Sequence, residues 1–353
     1  MSTMSATKIF KRISKGIILL FFLSLMFILY KEISYYPTSI EVNYMGNEVQ
    51  SSLGYYYLSS SKGPYLNRKE IVFDKNGIPI IKINGQYHYH PVYISQFALG
   101  AYDHYLITMD TTAKQSFMQC ALWLKDNLEK RGEFYYWNYN FKNDGYPGGI
   151  YEVPWFSAMA QGQGASVLLR AFCETKDEKY LSAAKMAITP MFYNITDGGI
   201  SIINDSNYIF PQEYPTTPPS DILNGAIFAY FGLYDYYRVT HDPNIKNLCR
   251  IVENTLLNTL PQYDTGYWSL YSLWPGYFAS PGYNLIHIAQ LKILYLITEK
   301  ETFLKYSEKF EGYQKSWLKR TRSVFCNHLV QIKEFGFDDM TKIPLYLKKI
   351  ITS

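Results

Sequence analysis

Metal-binding patterns are missing from this chain. It holds six His and four Cys in 353 residues. The cysteines, at 120, 173, 249 and 326, are too far apart for a CxxC pair or a zinc-ligand set. Three of them fall in helical patterns, where cysteine acts as a small buried hydrophobe. Charge is also scarce, at 18% of residues, and unevenly placed. Residues 1–35 carry a net +4 and residues 312–353 a net +5, so the total of +4 leaves −5 for residues 36–311. A mildly acidic body excludes nucleic acid as a partner and gives no global steering of a densely sulfated polymer. Only one apolar run stands out, Gly16–Tyr30, fifteen residues without a charge.

That run follows Lys8, Lys11, Arg12 and Lys15, and no small-x-small cleavage site comes after it. It reads as an uncleaved membrane anchor, short but extendable by snorkelling of Lys15 and Lys31. The basic flank places the N-terminus in the cytoplasm and exports the body, to the Golgi lumen in a eukaryote or the extracytoplasmic space in a prokaryote. In a eukaryotic secretory pathway Asn194 and Asn204 would be glycosylation acceptors.

Aromatic residues are abundant: 35 Tyr, 21 Phe and 6 Trp. With so many, a single Tyr says little, because its ring is readily buried while its hydroxyl finds a partner. Position decides. Residues 36–66 are rich in Tyr, Ser and Gly and read as a linker. Residues 70–90 read as strands broken at Asp74–Gly77 and at Asn84-Gly85, the strongest short hairpin signal.

From Pro91 the pattern is helical and repeats. Four units pair an apolar helix with an amphipathic one: Val92–Leu106 with Thr111–Lys130, Ser157–Thr175 with Asp177–Ala187, Asp221–Thr240 with Pro243–Leu260, and Pro281–Thr298 with Glu301–Leu318. The turns at 175–181, 240–245 and 298–304 resemble one another. Such a period predicts a mainly α fold, an α/α-barrel of about four helical hairpins with the more apolar helix of each pair inside. The expected layout is a basic stub and anchor (1–35), a linker and β region (36–90), the barrel (91–318) and a basic tail (319–353). A homodimer is compatible with it. Long loops at 132–156, 188–220 and 261–280 join the pairs, and long loops on a rigid scaffold carry function.

Three segments at loop–helix junctions carry the candidate chemistry: EYPTTPPSDILNG (213–225), YDTGYWSLY (263–271) and SPGYNLIHIAQL (280–291). With PWFSAMAQGQ (154–163), LPQYDTG (260–266) and His287, Gln290 and Leu291, they resemble the D-glucuronyl C5-epimerase family, which includes the heparosan and heparan sulfate enzymes. The resemblance spans roughly residues 85–315. It implies an N-terminal β region, a C-terminal α/α-barrel, a type II membrane anchor, a polysaccharide uronate as substrate and no cofactor. It implies catalytic roles for Glu213, Tyr214, Tyr271 and Tyr283. Trp155 and Asn224 lie in the matching strings, Trp274 stands where animal members have Arg, and all three are expected substrate contacts. Asn284 stands where they have His. The missing Arg favours an unsulfated uronan.

Read from the residues themselves, a Tyr cluster with one Glu suits proton transfer at the weakly acidic carbon next to a sugar carboxylate. A tyrosinate can serve as base and a buried Glu can act on the other ring face. Gln161, polar in an apolar helix with small neighbours, and His287, one turn after Tyr283, are expected substrate contacts; Asp264 is expected to form a turn. Three other readings fit the same residues. A polysaccharide lyase uses the same proton abstraction. A glycoside hydrolase needs a second carboxylate, for which Asp264 is the only candidate. A membrane-anchored glycan-binding protein needs no chemistry at all.

Overall fold

A computed structural model of the chain describes residues 71–142, 151, 153–204 and 207–335, with 30, 34, 36–38, 42 and 53–58. The expected anchor, apart from Tyr30, and residues 336–353 of the expected tail lie outside the described residues. Among the described residues no helix is long and apolar enough to cross a membrane.

A three-stranded antiparallel sheet comes first: β1 (Val72–Phe73), β2 (Pro79–Ile83) and β3 (Gln86–His88), in that order. Both connections are the turns read from the sequence, and Asn84 and Gly85 both take positive φ. The rest is mainly helical. The hairpins are α1 (Pro91–Thr108) with α2 (Thr111–Asp126), α3 (Ala158–Thr175) with α4 (Glu178–Ile188), α5 (Leu223–Thr240) with α6 (Pro243–Thr259), and α7 (Pro281–Thr298) with α8 (Glu301–Lys315). Helix α9 (Trp317–Phe335) runs from the end of the fourth hairpin into the expected tail.

The repeat has a local cause. Each inner helix is 18 residues long and ends on a threonine: Thr108, Thr175, Thr240 and Thr298. Each threonine hydroxyl donates to the carbonyl four residues back, at 2.7–2.8 Å. Each also accepts, at 3.2–3.4 Å, from the N–H two residues on. The residue between them, Met109, Lys176, His241 or Glu299, is left-handed, with φ of 55–59°. In the first three turns an Asp follows and caps the outer helix. The chain thereby reverses in two residues. The sequence shows three of these turns as similar strings; the first, at Thr108-Met109-Asp110, obeys the same hydrogen-bond pattern.

Inner helices touch in chain order, α1 to α3, α3 to α5 and α5 to α7, with α2, α4, α6 and α8 packed outside their partners. α3 and α5 make the closest approach. A Cβ built on Gly162 would stand 2.5 Å from the Ala229 Cα, and one on Gly232 2.4 Å from the Gly162 carbonyl oxygen. Their backbones therefore pack directly on one another, and every residue from Ala158 to Ala171 of α3 is buried. Gln161 works in this core. Its amide donates both hydrogens to the carbonyls of Tyr135 and Ala187 and its Oε1 accepts from the Trp137 N–H, so the bonds it makes hold the core together.

Two short hairpins were not revealed by the helical pattern: β4 (Glu129–Arg131) with β5 (Phe134–Tyr136), whose first strand takes Glu129 and Lys130 out of the expected second helix, which ends at Asp126, and β6 (Ser201–Asn204) with β7 (Tyr208–Pro211) in the second long loop. At the opposite ends of the helices, the segment 53–58 packs against α3 and α5. Arg170 Nη1 binds Asp235 Oδ2 at 2.7 Å, both side chains fully buried. The Tyr57 hydroxyl donates to Asp235 Oδ1 at 2.6 Å, while Arg170 also binds the carbonyls of Gly54 and Tyr55.

Candidate active site

The N-terminal ends of α3, α5 and α7 are held together by the loops that precede them. Gln212 closes the loop 213–220: its amide donates to Asp221 Oδ1 at 2.6 Å and its Oε1 accepts from the Asp221 N–H. Its carbonyl accepts from the Ala158 N–H at the start of α3. The segment around Tyr271 runs between this loop and residues 277–279. The Leu223 N–H donates to the Tyr271 carbonyl, the Tyr271 N–H to the Tyr277 carbonyl and the Leu273 N–H to the Ser220 carbonyl. Ser280 caps α7 through the Tyr283 N–H. Backbone bonds thus join the first two candidate segments directly, while the third is tied in through residues 277–279 that lead into it and through the Gln290 side chain.

A second hydrophobic cluster, separate from the main core, forms at this junction. It contains Tyr139, Phe141, Tyr151, Trp155, Tyr214, Tyr271 and Tyr277, with Tyr283 packed against it. Tyr271 and Tyr283 have ring centroids 4.7 Å apart. Tyr214 stacks on Tyr151 at 5.0 Å and meets Trp155 edge-on at 5.6 Å. Trp155 stacks in turn on Tyr139 at 3.8 Å and donates from its ring N–H to the Phe141 carbonyl. It is a buried wall behind Tyr214 and not an open platform.

Glu213 is buried beside these rings, 6% exposed. Burial pushes its carboxyl up to about 7, and the hydroxyls of Tyr214 and Tyr271 draw it back down. The first turn of α5 comes so close that a Cβ on Gly225 would stand 2.3 Å from Glu213 Oε2. Asn224, next to it, is buried, and its carbonyl accepts from Gln290 Nε2 at 3.0 Å. His287 is fully buried one turn after Tyr283, and burial pushes its imidazole down to about 3, so it is neutral. Trp274 is 39% exposed on the loop that pairs with Ser220, the one expected substrate contact with an open ring. Asp264 receives the Gly266 N–H, the Tyr313 hydroxyl and an ion pair from Lys309, so it holds the turn expected of it.

The residue reading missed Tyr139, Tyr151 and Tyr277. Their only signal was position in the long loops. Among the described residues no three His, Cys, Asp or Glu side chains gather in a metal-binding group, and none of the four cysteines is in a disulfide.

Residues 131–312 match the family model described as the D-glucuronyl C5-epimerase C-terminus. The chain belongs to that family. It is 35% identical over 177 residues to the D-glucuronyl C5-epimerase of Caenorhabditis elegans, covering 45% of this chain and 29% of that protein. It is 32% identical over 188 residues to an uncharacterised protein of Methanocaldococcus jannaschii, covering 52% of this chain and 59% of that one. The chain therefore matches less than two thirds of the length of either relative. Among solved structures it is similar to a D-mannose isomerase, at 12% identity and a TM-score of 0.46 over 83% of this chain and 69% of that one. It is also similar to an unsaturated glucuronyl hydrolase of Bacillus sp. GL1, at 13% identity and 0.41 over 66% and 61%. Scores this low bear on neither fold nor chemistry. For this C5-epimerase family member, the junction of Glu213 with Tyr214, Tyr271 and Tyr283 lies inside the matched span.

Proposed function

We propose that the chain converts D-glucuronate to L-iduronate residues within an unsulfated polysaccharide by exchanging the C5 proton. Glu213 is the observation that carries this reading. A carboxyl buried among tyrosines, with its proton affinity raised to about 7, is populated both as acid and as base near neutrality. Tyr283, ionised to tyrosinate, takes the C5 proton on one ring face and becomes a neutral phenol, while the electron pair of that C–H bond delocalises into the sugar carboxylate. Protonated Glu213 gives its proton to C5 on the other face and is left as carboxylate, and exchange with solvent moves the proton from Tyr283 back to Glu213 before the next turnover. Tyr214 and Tyr271 donate hydrogen bonds to the carboxylate oxygens as negative charge builds on them. Neither step needs a redox change. Trp274 offers its exposed ring to a neighbouring sugar at the entrance.

The same reading closes the four hairpins into an α/α-barrel with this junction at its mouth. It takes residues 16–30 as a membrane anchor that leaves the N-terminus cytoplasmic and the body exported, supported by the basic residues that precede the run. The test is incubation of the full chain, in detergent, with unsulfated heparosan in D2O. Deuterium at C5 with intact chains and new iduronate signals are expected, and Tyr283→Phe should abolish both while keeping polymer binding. Unsaturated chain ends would assign a lyase instead.

A further inference from the structure

Behind Tyr283 runs a buried chain of polar side chains whose hydrogen positions follow from its two carbonyl ends. Pro37 O and Phe310 O can only accept. The Gln314 amide NH2 therefore faces Pro37 O at 3.0 Å, which turns its Oε1 to Asn284. The Asn284 NH2 faces Gln314 Oε1 at 2.9 Å and Phe310 O at 3.3 Å, which turns its Oδ1 to Ser269. Ser269 Oγ must then give its hydrogen to Asn284 Oδ1, at 2.7 Å. It is left to accept from His287 Nδ1, at 3.1 Å. His287 Nδ1 carries the hydrogen and Nε2 is a bare lone pair.

That Nε2 is buried and has no hydrogen-bond partner among the described residues. The same holds for two oxygens beside it in the fold. Gln290, three residues further along α7, spends its amide NH2 on the Asn224 carbonyl and leaves Oε1 unpartnered. Asn224 Oδ1 is unpartnered as well, on the turn of α5 that Gly225 brings against Glu213. All three are acceptors, all are buried to 1% exposure or less, and they lie on the first turn of α5 and the second and third turns of α7, which the Gln290–Asn224 bond joins. Three buried acceptors without donors are unfavourable unless a ligand or a buried water supplies hydrogens. A ring bearing several hydroxyl groups supplies them; a carboxylate or a sulfate does not.

We propose that Asn224, His287 and Gln290 form a hydroxyl-accepting wall that positions the sugar ring beside Glu213, and that Ser269, Asn284 and Gln314 set His287 as its Nε2 acceptor. The proposal rests on the epimerase reading only for the identity of the sugar. Burial of the imidazole, which keeps it neutral, agrees with it. Asn284, which departs from the His of the animal enzymes, is the central member of the chain.

The test is imidazole 15N NMR on the full chain in detergent, with the His287 signals assigned by loss in His287→Gln. Nitrogen shifts should report the Nδ1–H tautomer from pH 6 to 8. Saturation with an unsulfated heparosan tetrasaccharide should move Nε2 towards its hydrogen-bonded position. Ser269→Ala should let the Nε2–H tautomer appear. Gln290→Met should weaken tetrasaccharide binding by roughly tenfold, the equivalent of one hydrogen bond, with a smaller effect on kcat than on KM. An Nε2–H tautomer in the unaltered chain overturns the wall. So does bound tetrasaccharide that leaves Nε2 unmoved, or a tetrasaccharide that fails to bind. If Nε2 responds but no C5 deuterium appears, the wall stands and the epimerase reading falls. If deuterium appears without an Nε2 response, the reverse holds.

Discussion

In Glu213 the proposed function and the stability of the fold depend on one side chain. Its folded proton affinity, at about 7, lies above the ordinary 4.5. An acid raised in this way adds stability below about pH 4.5 and loses it as pH rises through 7. The loss is on the order of 3 kcal/mol at most. Glu213→Gln should therefore abolish C5 exchange yet raise the urea midpoint at pH 8, with no gain at pH 4. An equal gain at both values would show that the carboxyl is not buried as a proton-binding group. The segments that carry Glu213, Tyr214, Tyr271 and Tyr283 were legible because they stand out as strings at loop–helix junctions. Trp155 and Gln161 were legible as unusual residues but not in their roles. Which way a side chain faces depends on neighbours from other elements, here Tyr139 and the carbonyls of Tyr135 and Ala187.

At the scale of elements, helix pairing was readable because it is local. The apolar period and the threonine turn are both written within a few consecutive residues. The hairpins β4–β5 and β6–β7 were not, since three- and four-residue strands carry too short a pattern to separate from loop. The crossing of α3 and α5 was not legible either: Gly162 reads as a small neighbour, and only the structure shows the Gly232 backbone against it. Gly232→Ala should lower stability by about 1–3 kcal/mol through overpacking, measured by urea unfolding. Gly225→Ala should instead strike activity, because the added methyl displaces the Glu213 carboxyl; unaltered exchange kinetics in that variant would contradict the close approach of α5.

At the scale of the whole molecule, three groups outside the carboxyl of Glu213 set the response to acid and to truncation. His287, fully buried, and His90, half-buried at the start of α1, are both held neutral by desolvation, pushed down to about 3 and about 4. A base depressed in this way contributes stability above its ordinary 6.5 and loses it as pH falls towards its folded value. Unfolding free energy should therefore decline between pH 6.5 and 4, with a shallower decline in His287→Gln. The Arg170–Asp235 pair is the third group. Arg170→Met leaves the buried Asp235 carboxylate only the looser ion pair with Arg238, at 3.6 Å, and should cost about 3 kcal/mol, while Arg170→Met with Asp235→Leu should recover most of that loss. The pair lies about 18 Å along α3 and α5 from the helix starts at the site. It is also the clasp for residues 53–58, which precede the family-matched span by more than seventy positions. The boundary at which similarity begins is thus not a boundary at which a fragment can be cut. A piece spanning residues 131–312 keeps Glu213, Tyr214, Tyr271 and Tyr283, yet it opens the Arg170–Asp235 end to water and strips the first hairpin from α3. An expression fragment intended to keep the candidate catalytic residues in register has to start upstream of Leu53.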